Sequence, residues 1–161
     1  MILTLNRLMV SDKTSIEEVH MGCYNSTVVR ANIDQVWALF SNFHDMSWAE
    51  GVITKTEPVG DVSGAEVGAR RILNDAFHET LRVVDDENRT IEYSIDDGPD
   101  AVSKDNVQGY IGKVRLLPVT DEGATFVEWS SSWASGGEGT TEFCDPIYRA
   151  LLGALKNHLA R

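Results

Sequence analysis

Cysteine is scarce in this 161-residue sequence, with only Cys23 and Cys144. Two isolated thiols exclude a disulfide scaffold and read as reduced. His20 near Cys23 makes no zinc site without a second ligand pair, so no metal and no cofactor is expected. No run approaches the ~18–20 consecutive apolar residues of a membrane helix, which excludes membrane insertion. The opening MILTLNRLMV is interrupted by Asn6 and Arg7 and lacks a small-residue cleavage site, so the expected location is cytoplasmic. The sequons NST and NRT carry no meaning without export. Basic residues are few, 14 against 25 acidic ones, giving a net charge of -11. That balance repels phosphate backbones and excludes nucleic acid as a partner. Repeats, low-complexity tracts and Pro-rich linkers are absent. The length then suits one domain, residues 21–161, preceded by an N-terminal extension, residues 1–20.

What is present is a strand, a helix, a set of strands and a last helix. CYNSTVVRA reads as the first strand. In NIDQVWALF, Ile33, Val36, Trp37 and Phe40 fall on one helical stripe, with Asn32 as cap and Asp34 in the first turn. NFHDMSW predicts a second short helix. GVITKTEPV, ARRIL, FHETLRVVDD, RTIEYSID, VQGYIGKVRLLPV and ATFVEWSSSWA read as strands. Connectors such as DDEN and TDEG make them an antiparallel meander. Thr140 then caps a helix of roughly 20 residues, or ~30 Å. Its apolar face runs through Phe143, Ile147, Leu151, Ala154 and His158, with Pro146 near its start. An α+β domain follows, a curved antiparallel sheet around a long C-terminal helix.

Side chains alternate faces along a strand, so parity sorts them. Phe77, Glu79, Leu81 and Val83 share the core face of their strand, and Glu79 is its polar exception. Ile91, Tyr93 and Ile95 share another core face, as do Tyr110, Val114 and Leu116, and Val127, Trp129, Ser131 and Trp133. In ARRIL, Ile72 sets the inward phase and takes Arg70 with it, leaving Arg71 outside. A carboxylate alone in an apolar interior is costly, so Glu79 is expected to pair with Arg70 on the adjacent strand. A plain ion pair fixing strand register and a polar cluster at a pocket floor both fit. Tyr93 and Tyr110 beside the pair favour the second, since phenols orient ligand oxygens or relay protons. The expected pocket is lined by Trp48, Phe77, Trp129, Trp133, Ile147 and Leu151.

Other signals are weaker. SGGEGTT lacks the Gly-Lys-Ser/Thr ending of a phosphate loop, and neither G-x-S-x-G nor H-E-x-x-H occurs. His44 beside Asp45 reads as a solvated loop pair.

The segments VWALFSNFHDMSW, GARRI, FHETLRVVDDENRTIEYSI, GYIGKVRLLPV and ATFVEWSSSW together resemble the polyketide cyclase/dehydrase and lipid-transport branch of the START superfamily. The resemblance spans roughly Ser26 to Leu159 and implies a helix-grip fold with two short helices after the first strand. Within that branch the chain is similar to the plant lachrymatory-factor synthases and their bacterial relatives. There an arginine and a glutamate on neighbouring strands, with nearby tyrosines, are implicated in proton transfer. The resemblance carries those roles to Arg70, Glu79, Tyr93 and Tyr110. Ala49 and Glu50 depart from the proline or aromatic that relatives often carry after the position of Trp48. Three functions stay open: a carrier or sensor of a small hydrophobic molecule, a cyclase, dehydratase or isomerase, and a pocketless interaction module. Assembly as a homodimer also stays open.

Overall fold

A computed structural model describes residues 21–161; the N-terminal extension, residues 1–20, lies outside the described residues. The elements run β1 (Tyr24–Val29), α1 (Ile33–Phe40), β2 (Thr56–Val59), β3 (Arg70–Leu73), β4 (Phe77–Asp85), β5 (Thr90–Asp97), β6 (Val107–Gln108), β7 (Ile111–Val119), β8 (Ala124–Ser132), β9 (Ser135–Gly136) and α2 (Thr140–Leu159). Seven strands form one antiparallel sheet in the order β1-β8-β7-β5-β4-β3-β2, and β6 and β9 pair separately. The expected meander is present from β2 to β8, and β1 closes the far edge.

α1 forms as its sequence dictates. The Asn32 side chain accepts from the Gln35 backbone N–H, and the Gln35 side chain accepts from that of Asn32, a reciprocal cap. Val36, Trp37 and Phe40 are buried. The second short helix expected at NFHDMSW is absent; residues 42–52 run as turns. Local side chains capture the backbone there. Asp45 accepts from both the N–H and the hydroxyl of Ser47, Asn42 accepts from the His44 N–H, and the Phe43 N–H reaches across to the Gly64 carbonyl. VQGYIGKVRLLPV, read as one strand, breaks at Gly109, whose φ of 68° turns the chain between β6 and β7.

α2 has the expected length, 20 residues. Its cap residue is Gly139, and the Thr140 hydroxyl donates instead to the Ala101 carbonyl. The buried face is Cys144, Tyr148, Leu151, Leu152 and Leu155, rotated one residue from the expected stripe. The sheet reaches α2 from both sides. Asn25 on β1 donates to Asp145, the Trp129 ring on β8 lies 5.5 Å from that of Tyr148, and the Phe77 ring on β4 lies 6.4 Å from that of Phe143. A flat sheet cannot touch one helix from its first strand and its fifth, so this sheet curls around α2 and encloses the core.

Candidate functional site in the cavity between sheet and helix

β3 and β4 place Arg71 directly opposite Glu79. Nε and Nη2 of Arg71 both donate to Glu79 Oε2, each at 2.7 Å. Nη1 donates to the Phe43 carbonyl at 2.7 Å and to Met46 Sδ at 3.3 Å, and the Phe43 ring lies 3.7 Å from the guanidinium carbon. The pair is nearly sealed, with residue exposures of 5% and 6%. The expected partner was Arg70. It stands opposite Thr80, points to solvent and lies over Gly60. The alternation along β3 holds, but its phase is opposite, because Leu73 is the buried aliphatic residue and Ile72 only half-buried.

Burial is the largest influence on Glu79 and raises its carboxyl above the ordinary value, opposed by the charge and hydrogen bonds of Arg71.

Above the pair, β5, the residue leading into β7 and α2 bring three phenols together. Trp129 Nε1–H donates to Tyr93 Oη at 2.9 Å. The Tyr93 phenol meets that of Tyr148, which hydrogen-bonds to Tyr110, and Tyr110 donates to Cys144 Sγ at 3.6 Å. Burial, first, and neighbouring phenols hold Tyr93, Tyr110 and Tyr148 far above the ordinary tyrosine range. All three are neutral hydrogen-bonding groups at physiological pH. Burial likewise pushes the Cys144 thiol up to about 11.

These groups line a cavity of about 40 Å³ between sheet and helix. Arg71, Glu79 and Tyr93 meet it from the sheet, and Tyr148, Ile147 and Leu151 from the helix. Phe77, Tyr110 and Trp129 line it as expected. Trp48 and Trp133, expected in the lining, are not. Trp48 packs into the core against Phe40 at 5.1 Å, and Trp133 stacks behind Tyr110 at 5.7 Å. Tyr148 and Cys144 were missed because the helical stripe was phased on Phe143 and Ile147; the alternative stripe 144-148-151-155 was equally readable. A larger groove of about 280 Å³ lies on the outer face at Arg70, His78, Asp96 and Lys104, all open to water. Cys23 and Cys144 are buried free thiols. Among the described residues no cluster of His, Cys, Asp or Glu has the makings of a metal site.

Residues 22–160 match the family described as polyketide cyclase/dehydrase and lipid transport. The chain belongs to this family. A solved protein from Nitrosospira multiformis is 43% identical, with a TM-score of 0.82 over 86% of this chain and 95% of its own. XoxI from Bacillus cereus, at 22% identity, superposes with a TM-score of 0.70 over 87% of this chain and 96% of its own. Major latex-like protein 151 from Panax ginseng, at 14% identity, gives 0.69 over 87% and 97%. The last two establish the helix-grip fold alone. No protein of curated function matches the chain. The family's description points to a fold of the hydrophobic-ligand-binding type, and no helix among the described residues is long and apolar enough to cross a membrane.

Proposed function

We propose that the protein binds a small, largely apolar molecule in the cavity between its sheet and α2, with the Arg71–Glu79 pair forming the polar end of the site. The reading is carried by one observation: a nearly sealed arginine–glutamate pair borders an apolar cavity between the sheet and α2. Since a single water needs about 10–15 Å³ of such space, the cavity as it stands holds a few atoms, and a larger ligand must displace side chains of α2.

A second reading, an enzyme of cyclase, dehydratase or isomerase type, rests on the same pair. The Glu79 carboxylate takes a proton from the ligand while Arg71 holds it in place, and the phenols orient the reacting oxygen. The roles proposed from sequence for Arg70 pass to Arg71, and Tyr148 joins Tyr93 and Tyr110. A cytoplasmic location agrees with two reduced thiols, and homodimer formation is left to measurement.

Native mass spectrometry of protein purified from its source tests the binding reading. Wild type is expected to carry a small molecule released on unfolding, and Leu151→Trp, which fills the cavity, to carry none. Identical ligand-free spectra for a folded wild type and variant contradict it.

A further inference from the structure

The outer face of the sheet carries a groove several times larger than the inner cavity, about 280 Å³ against about 40 Å³. Strand register assembles it. Val59 on β2 stands opposite Arg70 on β3, and Ile72, two residues on, stands opposite His78 on β4. Alternation puts these four on one face, and Lys104 reaches the same groove from the segment between β5 and β6. We propose that this groove is a second ligand site, one for a small organic carboxylate. Arg70 and Lys104 take the carboxylate, and Val59 and Ile72 take its apolar body.

The two cations are free where most others are paired. In a chain of net charge -11, carboxylates outnumber cations. Seven lysines and arginines among the described residues meet a carboxylate within ion-pair reach. Among those residues Arg70 and Lys104 meet none, although Asp96 and Asp97 line the same groove. Both carboxylates have other partners. Asp96 accepts from Thr80, Ser94 and Arg82. Asp97 accepts from the backbone N–H groups of Lys104 and Gly98, which hold its carboxyl below the ordinary range.

The charge that remains is positive and small. Arg82 balances Asp96, and Arg71 balances Glu79. Arg70 and Lys104 then face Asp97 alone, an excess that suits a monoanion. The planar guanidinium of Arg70 matches a carboxylate in shape. It lies against Gly60, where a Cβ would come within 3.3 Å of Nη2, so the missing side chain leaves it room. Val59 and Ile72 are only half-buried, which leaves apolar surface for the body of a guest.

Hexanoate tests this, with hexanol and hexylammonium as controls of the same chain length. Binding at neutral pH is read by NMR. The His78 imidazole and Ile72 methyl resonances report on the groove, and the Trp129 indole N–H and Leu151 methyl resonances on the inner cavity. Hexanoate is expected to move the groove resonances, and neither control to do so at the same concentration. Arg70→Ala and Lys104→Ala are each expected to weaken binding in the groove about three- to fivefold, the upper range for an exposed ion pair. Added salt is expected to weaken it further. Both side chains are exposed, so both variants are expected to fold. Hexanoate that leaves the groove resonances unmoved overturns the outer site. So does either control moving them equally, or an affinity that neither substitution changes. Movement of the inner resonances alone also overturns it while supporting the cavity reading, so the two sites stand or fall separately.

Discussion

On β3 a shift of one residue decides which cation meets Glu79. Arg70 and Arg71 are adjacent, carry the same charge and differ only in the face they present, yet one is solvated and the other nearly sealed. Truncating Arg71 leaves a buried carboxylate without its partner. Arg71→Ala is therefore expected to lose about 3–5 kcal/mol in chemical denaturation, and Arg70→Ala to stay within about 0.5 kcal/mol of wild type. Equal losses in the two variants would mean that the pairing is wrong. Glu79 adds a dependence on pH. Its carboxyl is raised above the ordinary 4.5, burial outweighing Arg71. Between 4.5 and the native value the folded protein holds a proton that the unfolded chain has released. Stability from this group is thus full below that window and is lost as pH rises through it. The stability of wild type relative to Glu79→Gln, followed by denaturation across a pH series, is expected to fall with rising pH. A difference that grows with pH would show that the attraction of Arg71 exceeds the cost of burial.

Among the elements, period was legible in the sequence and phase was not. The 2-residue alternation correctly put Glu79, Tyr93, Tyr110 and Trp129 on inner faces, because each strand offered several aliphatic neighbours to vote on the phase. β3 offered only Ile72 and Leu73, on opposite faces, and the wrong one was chosen. α2 posed the same problem, since stripes one residue apart both contain Leu151, and Tyr148 was lost with the other stripe. The turns at residues 42–52 were misread because Asn42 and Asp45 bond locally, which an apolar pattern does not register. β7 carries a requirement that only the structure reveals. Gly112 stands opposite Tyr93, and a Cβ there would come within 2.2 Å of the phenol ring carbon. The missing side chain lets Tyr93 lie across β7 to meet Trp129 and Tyr148. Gly112→Ala is expected to cost about 1–3 kcal/mol through overpacking. Adding Tyr93→Leu should recover part of that loss, because the two residues share one space. Simple addition of the two single-variant losses, measured by thermal unfolding, would show that the contact does not matter.

For the whole molecule, curling a seven-stranded sheet around one helix creates an interior that belongs to neither layer alone. Three successive strands contribute the cation, the acid and one phenol, Tyr110 before β7 adds a second, and α2 contributes the third phenol and the thiol. That convergence explains why the chemistry is scattered along the chain with no compact motif, and why family membership speaks to fold and ligand class more than to reaction. The most direct test is a crystal structure of the protein carrying the molecule it retains from its source. The ligand is expected between α2 and the sheet, with a polar atom about 3 Å from the Glu79 carboxylate and the Arg71–Glu79 pair intact. A ligand seated instead in the outer groove beside Arg70, with the inner cavity empty, would contradict the account.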